Sequence, residues 1–265
     1  MRKFLKAIFL FFIFSFLMAK ENVPLKPVDI LKKAVDAFGG KEAIQLSSNH
    51  SYIVKVKRLV ISSFDPPKNV SFVEYFTPPD KIRRDFEVRI PLKMGERAIY
   101  SFHIFNGEFG WSNENPNGKV VKYDKKDEEI NRISTPWVDI DLGKWFYSLL
   151  EDSKRLKCEI TERELENRSY YVIKMEVPDG IRYLFIKKEN FIPEIVEFTD
   201  LKRDKKWKYI YSDFRRVNNV LVPFKRIETF KSKNMYEKME DEIIDLKWGK
   251  DVKIEREKFE PPKSK

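Results

Sequence analysis

The chain has little of what reactive sites are usually made from. Its 265 residues include one cysteine, Cys158, and two histidines, His50 and His103. A single thiol cannot close an internal disulfide, so an exported chain of this kind has to be held together by its core. One cysteine and two distant histidines are too few and too scattered for a soft-metal site. HExxH, CxxC, GxSxG and P-loop patterns are absent, which removes the common zinc, thiol, serine-hydrolase and nucleotide chemistries, and no cofactor is implied. His103 lies among aromatics in a strand pattern and lacks the partner constellation that a catalytic histidine needs. There is no linker rich in Gly, Ser or Pro, no strict repeat and no low-complexity tract. The length suits one large β-rich domain or two small ones, and the missing linker favours one.

Charge is plentiful but not segregated. Lys and Arg number 52 against 42 Asp and Glu, a formal net charge of +10. The two signs are interspersed, as in EREKFE and KKDEE, whereas a nucleic-acid reader concentrates its cations in a stripe. The excess predicts a mild attraction to anionic surfaces, lipid headgroups included, and no nucleic-acid partner. Residues 1–19, MRKFLKAIFLFFIFSFLMA, have the layout of a secretory signal. Arg2, Lys3 and Lys6 make a positive start, residues 7–19 are almost purely apolar, and Ala19 is small enough for cleavage. The run is shorter than the ~20 residues of a comfortable membrane span. Cleavage is expected, an uncleaved anchor is the alternative, and both mean export. Lys20, not a cysteine, follows the proposed cut, so the product should be soluble rather than lipid-anchored.

Behind that leader the pattern is mostly β. Residues 27–45 read as one helix broken at Gly39-Gly40, with Val28, Leu31, Val35 and Phe38 on one face and Asp29 placed to cap its start. The period then changes to two. Tyr52, Val54, Val56 and Val60 share one face of a first strand, and residues 70–76 make a second. In residues 81–90, Ile82, Phe86, Val88 and Ile90 oppose Arg83, Asp85, Glu87 and Arg89, and only Arg84 breaks the apolar face. A strand at 97–105 precedes two turn signals, Asn106-Gly107 and Asn117-Gly118. Residues 139–150 read as a helix with Leu142, Trp145, Phe146 and Leu149 on one face. Asp139 and Asp141, beside Trp137, either cap that helix or form a carboxylate pair of the kind a glycosidase uses. Strands follow at 171–177, 181–187, 195–199, 206–214, 222–230 and 236–246. The expectation is a meander of about ten or eleven antiparallel strands with an N-terminal helix and one helical insertion.

Three stretches carry a family resemblance: EYFTPPDKIRRDFEV, FNGEFGWSNENP, and the long pair YYVIKMEVPDGIRYLFIKKENFIPEIVEF and KYIYSDFRRVNNVLVPFKRIETF. In the last, Ser212, Asp213, Phe214, Arg215, Val217, Asn218, Asn219, Val220 and Pro223 stand in the places of a recurring strand–turn–strand element. In order and spacing these stretches resemble the LolA/LolB-like family of periplasmic lipoprotein carriers, over nearly all of the chain after the leader. The resemblance implies an α+β, mainly β fold: a strongly curved, half-open antiparallel barrel with helices covering its concave face. It implies a non-catalytic carrier that holds lipid or lipoprotein acyl chains in an apolar cavity, for transport towards the outer membrane. An inner-membrane donor and an outer-membrane acceptor would be its partners. A non-catalytic envelope sensor or protein-binding module on the same fold is the alternative. In the family's lipoprotein chaperone an arginine directly before the early hairpin's proline helps hold the lid. Thr77 precedes Pro78 here, and Arg83 and Arg84 are nearby but out of alignment. Strand alternation gives the expected cavity lining as Phe86, Val88, Phe102, Ile104, Tyr171, Ile173, Tyr183 and Phe185, with Trp145, Phe146 and Leu149 on the lid helix. A one-residue slip would flip every assignment on a strand, and 97–105 and 181–187 are apolar on both faces.

Overall fold

The computed structural model describes residues 25–92, 95–113, 118–136 and 142–262. The apolar leader and the Trp137, Asp139 and Asp141 group lie outside these residues.

Alternating side chains and tight turns produce two meanders. The first runs through β1 (Ser51–Ser62), β2 (Lys68–Thr77), β3 (Lys81–Leu92), β4 (Gly95–Phe105), β5 (Gly110–Ser112) and β6 (Val121–Tyr123). The second runs through β7 (Cys158–Leu165), β8 (Arg168–Val177), β9 (Gly180–Lys187), β10 (Pro193–Asp200), β11 (Lys205–Val217), β12 (Val220–Lys231) and β13 (Tyr236–Gly249). β1 pairs with β13 and joins them into one open antiparallel sheet of 13 strands, ordered β6-β5-β4-β3-β2-β1-β13-β12-β11-β10-β9-β8-β7. The count exceeds the expected ten or eleven. β5 and β6 have only three residues each, too few for alternation to register. β7, CEITEREL, is a mostly exposed edge strand whose charges discourage pairing with another chain.

The SDFRRVNNV element that carries much of the family resemblance forms the β11–β12 hairpin. Val217 pairs with Val220 across Asn218 and Asn219, whose φ values of 49° and 66° are those of a tight primed turn.

Among the described residues four α-helices accompany the sheet: α1 (Pro27–Ala37), α2 (Gly40–Ser47), α3 (Glu129–Ser134) and α4 (Leu142–Asp152). Asp29 does not cap α1. Lys26 is the capping residue and makes no side-chain bond, while Asp29 sits in the first turn, where its charge suits the helix dipole. The expected break at Gly39 has a steric cause. Its φ is +123°, and a Cβ there would lie 2.3 Å from the Asn219 carbonyl oxygen. Beside that contact the Leu221 N–H donates to the Phe38 carbonyl at 2.9 Å, fixing the α1–α2 corner to the β11–β12 hairpin.

Helices α1, α2 and α4 pack on one face of β8–β12, where Ile30, Leu31, Phe38 and Phe146 meet Ile173 and Leu184 in the main core. A second cluster on this helix-bearing face joins Val54, Val56, Phe72 and Phe86 to Ile243 and to Ala43 of α2. Ile130 and Ile133 of α3 rest on Phe105 farther along. Two smaller clusters occupy the opposite face. Phe102, Ile104 and Trp111 lie under Phe259 of a C-terminal turn of 3-10 helix (Arg256–Phe259), and Tyr170, Val172 and Phe185 pack together beyond them along the sheet.

Candidate functional site

A cavity of about 450 Å³ opens on the helix-bearing face between the start of α4 and strands β9–β12. Cross-strand register sets the sheet face in rows, from which Arg182, Phe198, Val196, Tyr209, Tyr211, Arg226 and Glu228 line the cavity. Arg182 of β9 stands beside Phe198 of β10, which faces Trp207 of β11, which faces Phe230 of β12. The next row runs Leu184, Val196, Tyr209 and Glu228. Tyr211 and Arg226 form the one after. The first row is an aromatic ladder, with Phe198 to Trp207 at 5.5 Å and Trp207 to Phe230 at 5.2 Å between centroids. Trp145 and Leu142 of α4, with Pro136, make the roof. Trp145 is held edge-on to Phe146 at 5.0 Å, and Phe146 in turn packs on Phe38 at 5.5 Å, so the roof is fixed to the core through one helical turn.

Arg226 and Glu228 bring charge to one edge of the lining, and Arg226 belongs to a matched group that extends behind it. Arg58 makes a fork to Asp241, Nε to Oδ1 at 2.6 Å and Nη2 to Oδ2 at 2.9 Å. Arg226 reaches the same carboxylate at 2.7 Å and lies 3.6 Å from Glu228. Burial pushes the Asp241 carboxyl up, but hydrogen bonds and charge from Arg58 and Arg226 outweigh it and hold the group below the ordinary carboxylate value.

A second matched group ties the helical insertion to the sheet. Arg84, the one charge on the apolar face of β3, is fully buried against fully buried Glu74, its cross-strand neighbour on β2. Tyr52 Oη donates to the other Glu74 oxygen at 2.7 Å. The Arg84 guanidinium also donates to the carbonyls of Arg132, at 3.3 Å, and Thr135. It therefore holds the C-terminal end of α3, next to the cavity-lining Pro136. The sequence signal for this pair is a lone arginine on an apolar strand face opposite a lone glutamate.

Only Trp145 among the eleven expected lining residues lines this cavity. Phe146, Leu149 and Ile173 are core residues under α4, and Tyr171 lies at that core's margin, stacked on Phe191 at 6.0 Å. Phe86 and Val88 share the helix-bearing face but sit away from α4; Phe86 packs with Phe72. Phe102, Ile104, Tyr183 and Phe185 are corrected to the opposite face. In β9 the pairs Ile173–Leu184 and Tyr171–Ile186 turn Leu184 and Ile186 inward and Tyr183 and Phe185 outward. In β4, Phe86 pairs with Ser101, so Ser101 and His103 turn inward while Phe102 and Ile104 turn towards Phe259. The turn lengths carried that information. Val177 pairs with Gly180 across two residues, which fixes the parity of β9 once that of β8 is known. The same parity turns Arg182 and, across from it, Phe198 inward, and neither they nor Tyr209 and Tyr211 are among the expected lining residues.

A larger hollow of about 700 Å³ lies at the middle of the sheet, but Lys57, Arg89, Lys225, Glu96, Glu240 and Glu242 border it, and such a wall suits water rather than an apolar ligand. His103 packs edge-on against Phe86 at 5.0 Å. Among the described residues no group of three His, Cys, Asp or Glu side chains is placed to hold a metal ion, and no helix is long and apolar enough to cross a membrane.

The sequence matches no family model and no curated protein. Solved structures do match. A DUF1329 family protein from Desulfovibrio piger shares 11% identity at a TM-score of 0.50, over 89% of this chain and 98% of that one. A LolA superfamily protein from Nitrosomonas europaea shares 13% identity at a TM-score of 0.49, over 89% and 98%. A putative outer membrane lipoprotein-sorting protein domain from Vibrio parahaemolyticus shares 10% at 0.47, over 86% and 97%. At these identities the likeness concerns fold alone, and the mainly β, antiparallel expectation agrees with it.

Proposed function

We propose that the protein is a non-catalytic carrier which takes an acyl chain of a lipid or lipoprotein into the cavity between α4 and β9–β12. In this reading residues 1–19 direct export and are removed, and residues 20–265 work in the periplasm as one lipid-binding domain. The carrier collects its load from an inner-membrane donor and passes it towards an outer-membrane acceptor. The observation that carries the reading is the roofed aromatic floor: Trp145 over Phe198, Tyr209 and Tyr211, left unfilled beside a core that is otherwise packed to near-zero exposure. Its volume lies in the range of roughly 300–1,000 Å³ typical of small-molecule sites. Each methylene moved there from water contributes about 0.8 kcal/mol, so eight would give about 6 kcal/mol without any specific polar contact. That suits a tolerant hold on chains, and release through movement of the roof.

Native mass spectrometry of the exported protein, followed by lipid analysis of an organic extract, tests this. A stoichiometric acylated ligand is the expected result. A protein that arrives empty and also fails to take up a fluorescent fatty acid would refute the carrier reading and leave a protein-binding module.

A further inference from the structure

Arg182 stands apart from the other charges of the cavity wall. It lies on the helix-bearing face of β9 with Met175 and Phe198 as row neighbours. Its guanidinium carbon is 5.6 Å from the Phe198 ring centroid and 6.0 Å from that of Trp145, so it sits between floor and roof. Among the described residues its side chain has no hydrogen bond and no ion pair. The other charges of the lining are matched, since Arg226 faces Glu228 and also shares Asp241, behind the wall, with Arg58. Of the two guanidiniums in the lining, Arg226 is matched by Asp241 and Glu228, and the positive charge left over is on Arg182. Aromatic contact covers the faces of a guanidinium and leaves its in-plane N–H donors for an acceptor, and the fork of donors matches a carboxylate or phosphate.

We infer that the cavity selects an amphiphile with one acyl chain and a negatively charged headgroup, and that Arg182 is the residue that reads the charge. The inference rests on the carrier reading and adds the class of ligand. A volume of 450 Å³ lies towards the small end of ligand sites and accommodates one chain rather than three. Phe198, Val196 and Tyr209 on the floor and Leu142 and Trp145 on the roof give that chain an apolar wall beside the arginine. Phosphate and carboxylate share the recognising chemistry, and the test distinguishes them.

The full exported chain, delipidated, is titrated at pH 8 with palmitate, with palmitoyl lysophosphatidic acid, and with uncharged monopalmitoylglycerol. The expected result is ~tenfold or greater preference for at least one anion over the neutral lipid, the scale of one charged hydrogen-bond pair. Whichever anion binds tighter names the headgroup. Arg182→Gln should bring the ratio of anion to neutral affinity close to one, and Arg182→Lys should restore part of it. In the unaltered protein the ratio should shrink as salt rises, a readout that needs no variant to fold. Equal affinity for charged and neutral lipids, or a preference that survives in Arg182→Gln, would overturn the inference while leaving the carrier intact. Failure of all three lipids to bind would overturn the carrier reading, and this inference with it.

Discussion

Replacing Arg84 with Met separates what a buried ion pair contributes from what its position contributes. Arg84 and Glu74 are both fully buried, 2.5 Å apart, and the guanidinium holds two further acceptors at the end of α3. Arg84→Met removes the guanidinium from a carboxylate that water cannot reach and leaves the Tyr52 hydroxyl beside it. Breaking a buried pair from one side costs about 3–5 kcal/mol, because the charge left behind has no compensation. Against a total of roughly 5–15 kcal/mol for a domain, that is a large fraction of stability. Arg84→Met combined with Glu74→Gln should recover much of the loss, since no charge is then stranded and Tyr52 can still donate to the amide oxygen. The residual loss would be the two backbone acceptors, about 1–3 kcal/mol each if they stay buried and unpaired. Urea titrations of the wild type, both single variants and the double variant close a double-mutant cycle. Hydrogen exchange over residues 129–136 then reports whether α3 has come loose. A loss below about 1 kcal/mol for Arg84→Met, or additive single effects, would refute the argument that the pair and the α3 anchor act as one unit.

Three further outcomes follow from the packing. Asp241 is held below its ordinary value by Arg58 and Arg226, so its contribution is complete above the unfolded value and is lost as pH falls through the lower folded one. The urea midpoint should therefore drop as pH falls below about 4, and the drop should be shallower in Asp241→Asn. Trp145→Ala should weaken fatty-acid uptake measured by fluorescence, whereas Phe185→Ala on the opposite face should lower stability by about 3–5 kcal/mol without weakening uptake by the folded protein. Reversed outcomes for the two would mean that the cavity is on the other side of the sheet. Gly39→Ala forces a Cβ to within 2.3 Å of the Asn219 oxygen at a φ of +123°, and thermal unfolding should show a loss of at least about 1–3 kcal/mol.

Much of the fold was legible because its signals are local. Period-two alternation marked most strands, helical spacing marked α1 and α4, and Gly39-Gly40 marked the break between α1 and α2. Short strands escaped because three residues carry no measurable period. The cavity was less legible. Alternation sorts a strand's side chains into two sets but does not say which set the helices will cover. β3 and β8 each had one apolar set, and the choice was plain. β4 and β9 are apolar on both faces, and their apparent choice was the wrong one: the inward set of β4 holds His103 and Ser101, and that of β9 holds Arg182.

By itself the sequence determined the antiparallel, mainly β character of the chain, the absence of the usual catalytic signatures, and the hairpin parities that relate each strand to the next. Tertiary structure decided the rest. The β1–β13 pairing joins segments nearly two hundred residues apart, and no local pattern announces it. Laying α4 across β9–β12 chose which parity became interior and brought Trp145 over Arg182 and Phe198. A side chain's direction along its strand is a local property, whereas its neighbours across a roof are set only when separate elements close over one another and exclude water.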